Sequence, residues 1–185
     1  MIRAVCVFAG SRVGAHDAHR SAAHELGHEL ATRGYTMIYG GGDIGLMGVA
    51  ANAALHAGGR VIGVIPRGLF DREIAHDGVS ELRVVASMHE RKALMHELSD
   101  AFVALPGGLG TFDELIETMT WRQLSLHEKP VALLDVDGFW DPFHALLDRA
   151  VLDGYLPRDR IDHLHSHPTV PAVLDAIARG AATAP

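Results

Sequence analysis

The sequence predicts a Rossmann-like α/β domain, with a doubly wound, mostly parallel sheet flanked by helices. Three observations carry the expectation. Short apolar runs recur along the chain and alternate with segments of helical apolar spacing. Several of these runs are continuously apolar, as strands buried on both faces are. Three of them end in glycine-bearing turns that open directly into a helix, which in such sheets gathers the loops at one rim.

Taken in order, residues 2–9 are an apolar run ending at Gly10-Ser11 and read as a buried strand. Residues 16–33 place Ala22, Ala23, Leu26 and Leu30 at helical spacing, with Gly34 as the stop. The second strand, residues 35–39, runs into Gly40-Gly41-Gly42-Asp43-Ile44-Gly45, and the Ala-rich residues 46–57 read as a buried helix. A third strand covers 60–66, and residues 67–80 show no period and read as a loop carrying one helical turn. Residues 81–86 are the fourth strand, and 88–98 a helix with Leu94, Met95 and Leu98 inward. The fifth strand, 101–105, closes on Pro106-Gly107-Gly108 and leads into a helix over 111–124. A sixth strand at 129–136, a helix at 139–152, a loop rich in Pro, Asp and His, and a last helix at 170–179 complete the reading. No break or repeat divides the chain, so residues 1–180 form one nucleotide-binding domain and the end of the chain, from 180 or 181 to 185, reads as a frayed tail.

A chain of 185 residues suits one such domain, and its 48% hydrophobic and 21% charged residues are ordinary for a globular protein. No apolar run approaches a membrane span, and MIRAVCVFAGSR lacks the plan of a signal peptide, so the expected location is the cytoplasm. The single cysteine, Cys6, lies among Val5, Val7 and Phe8 and reads as core. A formal net charge of -7 excludes a broad nucleic-acid surface and leaves room for a small anion held by local positive potential.

The three glycine-bearing turns are the natural place for that anion, because each brings backbone N–H groups and a positive helix end to the rim. The strongest is Pro106-Gly107-Gly108-Leu109-Gly110-Thr111-Phe112-Asp113-Glu114, where the backbone can curl around a phosphate and Thr111 adds a hydroxyl. Thr111 and Glu114 also have the T-x-x-E spacing of a helix capping box, which would make Glu114 a cap and nothing more. Gly40, Gly42 and Gly45 fit G-x-G-x-x-G, but Arg67 rather than an acidic residue follows the next strand, which disfavours NAD and leaves NADP open. No G-K-[ST] follows any of the turns, against a Walker-type hydrolase. In Met88-His89-Glu90-Arg91-Lys92 two cations occupy the first turn of a helix, where the dipole disfavours them, so they either face an anion or form a solvated basic pair.

Together, GGGDIGLMG at 40–48, MHERKALM at 88–95 and PGGLGTFDE at 106–114 resemble the Lonely Guy family of cytokinin-activating phosphoribohydrolases, a family often mislabelled as lysine decarboxylases. The resemblance extends from the first strand end through WRQLSLHEKPVALLDVDGFWDPF, with Ser125 where the family often has Gly and Asp135 where it often has Asn. It implies a catalytic pair, Arg91 and Glu114, and phosphate binding on Gly107, Gly108, Gly110 and Thr111. Ser11, Gly41 and Gly42 on the other turns, with Met88, Arg91 and Lys92, complete the candidate substrate contacts. The implied reaction cleaves the N-glycosidic bond of an N6-substituted AMP to free base and ribose 5-phosphate. Its oxocarbenium-like transition state would be met by the Glu114 carboxylate, with Arg91 on the phosphate or the leaving base.

The scheme needs no cofactor and no metal, and His163, His165 and His167 read as a solvated edge rather than a ligand set. A lysine-type pyridoxal decarboxylase finds no support in the motifs. The alternatives are a nucleosidase acting on AMP generally, a non-catalytic nucleotide or cofactor carrier, and an NADP-dependent oxidoreductase, for which the chain is short. The expected partners are a small nucleotide monophosphate and a second copy of the chain, in a homodimer or larger homo-oligomer. The segment from Trp121 to Leu126 suits either a subunit interface or the core.

Overall fold

Side-chain alternation along the strands divides the core in two. In β1 (Ala4–Phe8), Val5 and Val7 point to one face of the sheet while Cys6 and Phe8 point to the other, all of them buried. β2 (Thr36–Tyr39) repeats the pattern, with Met37 and Tyr39 on the first face and Ile38 on the second. The computed structural model, which describes residues 1–70 and 75–182, joins these to β3 (Val61–Pro66), β4 (Glu81–Val85), β5 (Ala101–Ala104), β6 (Val131–Leu134) and β7 (Leu164–His167). All adjacent pairs are parallel, in the order β4-β3-β2-β1-β5-β6-β7.

Helices cover both faces, as a sheet buried on both sides demands. The first face packs against α1 (Asp17–Thr32), α2 (Gly45–His56) and α7 (Val170–Ala182), through residues such as Leu26, Leu30, Ala50 and Leu174. The second takes α4 (Met88–Glu97) and α5 (Leu109–Gln123), through Met95 and Leu115, together with Trp140 just before α6 (Asp141–Leu152). A single turn of helix, α3 (Arg67–Phe70), follows β3. No helix among the described residues is long and apolar enough to cross a membrane. Cys6 is fully buried, and burial raises its thiol pKa, as a core cysteine requires.

The C-terminal third of the chain differs from the sequence reading in two places. The loop expected after α6 contains β7, whose Leu164-His-Ser-His lacks any apolar alternation; it holds its place as an edge strand by backbone pairing to β6. His165 and His167 lie on that edge strand and His163 just before it. α7 runs to Ala182, so residues 180–182 are helical, while 183–185 and residues 71–74 of the loop after α3 lie outside the described residues. Ser125 takes the left-handed conformation (φ 58°) that terminates α5, a position where glycine is favoured. Asp135 accepts a hydrogen bond from the Trp140 backbone N–H, a role an asparagine oxygen fills equally well.

α1 and α2 meet so closely that Gly27 has no space for a side chain: an added Cβ would lie 2.0 Å from the backbone oxygen of Ala50. Helix propensity alone would make Gly27→Ala stabilising by about 1 kcal/mol. The obstructing atom is backbone and cannot swing aside, so overpacking of about 1–3 kcal/mol wins. A lower urea midpoint with an unchanged slope is the expected outcome.

Candidate active site

β1 is the point where the strand order reverses, with β2 on one side and β5 on the other. The loops leaving β1 and β5 therefore diverge to opposite faces and leave a crevice between them, where open α/β sheets bind ligands. The two loops touch backbone to backbone: a Cβ at Gly107 would meet Gly10 N at 3.0 Å and the Thr111 hydroxyl oxygen at 2.1 Å. Only glycine permits that approach.

The three turns do different work. At the start of α2, the N–H groups of Leu46 and Met47 donate to the Gly10 carbonyl at 3.0 and 3.4 Å, so this turn braces the loop after β1. Gly41 accepts from His76 N through its carbonyl, and Gly42 forms a bridge to Ala75. Neither glycine lines the cavity beside the candidate pair. α5 starts two residues before the expected position, at Leu109, with Gly108 as N-cap and no side-chain cap. Its first intrahelical bond is Phe112 N to Gly108 O, which leaves the N–H groups of Leu109, Gly110 and Thr111 without intrahelical acceptors. Thr111 is thus the third helical residue and not a cap, and the capping-box alternative does not hold. Its Oγ1 is buried and has no hydrogen-bond partner among the described residues, as a donor awaiting a ligand would be.

A capping box does exist one helix earlier. Ser87 Oγ accepts from Glu90 N at 3.1 Å, and a Glu90 carboxylate oxygen accepts from Ala86 N at 2.8 Å, which fixes the start of α4. Arg91 follows at once. Its Nε donates to Val64 O at 3.1 Å and its Nη2 to Gly40 O at 3.2 Å, so the ends of β3 and β2 both hold the guanidinium. Nη2 then lies 3.8 Å from Glu114 Oε1, with both side chains only 11% exposed. Two residues 23 positions apart in sequence meet because parallel strands deliver α4 and α5 to the same rim.

Ser11, Arg91, Gly108, Gly110, Thr111 and Glu114, six of the candidate residues, line one cavity of about 170 Å³. Met47 and Leu109 also line it; Met47 reads in the sequence as the core of an Ala-rich helix, and Leu109 as an apolar spacer in the glycine turn. Gly107 borders an adjoining space of about 460 Å³ that shares Gly10, Ser11 and Gly108 with the first. A larger depression, about 840 Å³, lies between α1 and α2, but it contains neither member of the pair nor the open turn of α5. Met88 is 40% exposed at the edge, its sulfur 3.9 Å from Arg91 Nη1, and does not line the cavity. Lys92 does not line it either: its Nζ donates to Asp113 and Glu117, and the side chain is 11% exposed. The solvated-pair reading of Arg91 and Lys92 is therefore overturned.

Behind Glu114 lies a buried polar relay. Thr118 Oγ1 donates to the Glu114 carbonyl at 2.8 Å, so its one proton is spent and His96 Nε2 must donate to it, at 2.9 Å. His127 Nε2 donates to Thr118 O at 3.0 Å while its Nδ1 accepts from Lys129 N at 3.2 Å. Burial, followed by the proximity of His127 and Lys129, lowers the His96 pKa from 6.5 to about 4. Between those values the unfolded chain binds more protons than the folded one, so the stability from neutral His96 is complete above about pH 6.5 and is lost as pH falls towards 4. Denaturation midpoints measured across this window should drop less for His96→Gln than for the unaltered protein. An equal drop in both would show that His96 does not govern it.

Among the described residues no three His, Cys, Asp or Glu side chains are grouped to hold a metal ion.

Comparison with known proteins places these features in company. The family described as "Possible lysine decarboxylase" matches residues 47–177. Cytokinin riboside 5′-monophosphate phosphoribohydrolase LOG of Oryza sativa subsp. japonica is 52% identical over 168 residues, which cover 90% of this chain and 69% of that protein. Cytokinin riboside 5′-monophosphate phosphoribohydrolase LOG3 of Arabidopsis thaliana is 48% identical over 168 residues, 90% of this chain and 78% of that protein. In fold, the chain is similar to the molybdenum cofactor carrier protein of Chlamydomonas reinhardtii, with a TM-score of 0.74 at 24% identity over 99% of this chain and 100% of the other.

Proposed function

The chain belongs to the Lonely Guy family of cytokinin riboside 5′-monophosphate phosphoribohydrolases, and from that premise we propose how its cleft carries out the reaction. The enzyme hydrolyses the N-glycosidic bond of a cytokinin riboside 5′-monophosphate: the C1′–N9 bond breaks, the hydroxyl of a water molecule joins C1′ and its proton ends on the departing base, so that neutral base and ribose 5-phosphate leave. The observation that carries the assignment of residues is the Arg91–Glu114 pair facing the same cavity as the uncapped first turn of α5.

The 5′-phosphate sits on that turn. The open N–H groups of Leu109, Gly110 and Thr111, the positive end of the helix and the unpartnered Thr111 hydroxyl all favour an anion there. Glu114 is three residues past Thr111 on the same helix, so anchoring the phosphate brings the ribose towards its carboxylate, and binding energy becomes geometry. The carboxylate stabilises positive charge developing at C1′ and takes a proton from the attacking water. Arg91 is held through Nε by Val64 O and through Nη2 by Gly40 O, and lines the cavity in which the substrate is read to sit. Met47 and Leu109, the latter 85% exposed at the mouth, give an apolar N6 substituent something to pack against. A second copy of the chain covering the exposed Ile116, Leu124 and Leu126 on and after α5 would make a homodimer.

The decarboxylase label has no chemistry behind it in this cleft. The chain has two lysines, Lys92 and Lys129, and neither lines the cavity: Lys92 is bound by Asp113 and Glu117, and Lys129 Nζ donates to His96 O at 2.6 Å. The deciding experiment incubates the protein with isopentenyladenosine 5′-monophosphate and, separately, with AMP, and assays free base and ribose 5-phosphate. Preferential release from the prenylated nucleotide is expected. Equal release from both would make it a general nucleosidase, and bound but uncleaved nucleotide would make it a carrier.

A further inference from the structure

The motif position of Lys92 beside Arg91 suggests a second cation for the substrate phosphate, but its surroundings argue for another role. We propose that Lys92 is a positioning residue that ties α4 to α5 and so sets the gap between Arg91 and Glu114, and that it is not a ligand of the phosphate. The inference rests on the hydrolase reading above and concerns how its catalytic pair is held.

An ammonium group has three protons to donate. Lys92 Nζ makes three contacts, with Asp113 Oδ1 at 3.3 Å, Asp113 Oδ2 at 3.1 Å and Glu117 Oε2 at 2.7 Å, so none is left for a ligand. Two carboxylates around one ammonium also make its immediate surroundings net negative, which repels a phosphate. Burial lowers the Lys92 pKa, but its hydrogen bonds to Glu117 and Asp113 outweigh it and the pKa is raised overall, so the tie stays charged.

Asp113 and Glu117 stand one turn apart on α5, and Asp113 immediately precedes Glu114. Holding both fixes the rotation of α5 about its axis, and with it the direction in which Glu114 leaves the helix. Arg91 is already tethered to the ends of β2 and β3. The Lys92 tie supplies the other half of the frame, leaving Arg91 and Glu114 at 3.8 Å, close but outside hydrogen-bond distance.

The test compares Lys92→Met, Lys92→Arg and the double variant Asp113→Asn/Glu117→Gln with the unaltered enzyme, by steady-state turnover and by calorimetric titration with ribose 5-phosphate. For Lys92→Met kcat should fall by about ten- to a hundredfold, the effect of a small misplacement of reacting groups, while the Kd for ribose 5-phosphate changes less than about twofold. Lys92→Arg should restore most of kcat, and the double variant should lose as much kcat as Lys92→Met. A Kd for ribose 5-phosphate weakened about tenfold or more in Lys92→Met, with the double variant fully active, would make Lys92 a phosphate ligand and overturn the proposal. Unaltered turnover in Lys92→Met would overturn it too. An unaltered enzyme that releases no base is a separate outcome: it refutes the hydrolase reading, and the positioning role falls with it.

Discussion

Glu114→Gln should lower kcat for base release by roughly 10²–10⁴-fold, the range for removing a positioned acid–base group, and leave the fold intact. The two halves of this expectation have separate grounds. Glu114 shares the cavity with the uncapped turn of α5 and lies 3.8 Å from Arg91, so the loss of its charge falls where the sugar is read to sit. The N-cap of α5 is Gly108 and no side chain caps the helix, so no cap is lost. Arg91 retains its bonds to Val64 O and Gly40 O when its carboxylate neighbour becomes an amide. Thermal unfolding should therefore shift little, since Arg91 Nη2 and Glu114 Oε1 stand 3.8 Å apart, beyond hydrogen-bond distance. Had Glu114 been a capping residue only, both stability and activity would be kept, because glutamine fills the same capping position. Substantial turnover by a folded Glu114→Gln protein would remove Glu114 from the chemistry.

That contrast also shows where sequence reading succeeds and where it stops. Continuous apolar runs such as VIGVIP at Val61–Pro66 identify buried parallel strands, because burial on both faces leaves no other composition open. β7 offers no such signal. Its Leu-His-Ser-His is half-buried at every residue and held by backbone pairing, which is blind to side-chain identity. The start of α5 misleads for a related reason: Gly-Leu-Gly has poor helix propensity, yet the helix begins there, just after Gly107 meets the loop after β1. The T-x-x-E spacing at 111–114 matched a capping template by coincidence, whereas the Ser87–Glu90 box, equally present in the sequence, is the one that forms. The pairing of Arg91 with Glu114 was reached through the family resemblance, since nothing in a spacing of 23 residues tells that two helix starts share a rim. Lys92 belongs to the same class: its partners, Asp113 and Glu117, lie on another helix.

Gly40→Ala should cost about as much activity as Arg91→Ala while costing little stability. A Cβ at position 40 would lie 1.8 Å from Arg91 Nη2, 3.0 Å from Cζ and 3.6 Å from Nε, and its three nearest contacts all belong to this one side chain. The backbone at Gly40 is not left-handed, so alanine meets no conformational strain there. The obstructing group is the free end of a long, flexible chain, which can swing aside. Swinging aside breaks the 3.2 Å bond to Gly40 O and removes the guanidinium from Glu114. The expected loss in kcat/KM is about 10²-fold, as for a misplaced catalytic group, with the unfolding free energy from urea titration changed by less than about 1 kcal/mol. Because both substitutions disable the same group, Gly40→Ala/Arg91→Ala should be no worse than Arg91→Ala alone, a non-additivity that a double-mutant cycle measures directly. Activity of Gly40→Ala equal to that of the unaltered enzyme would mean that the position of Arg91 seen here is not the one that catalysis uses.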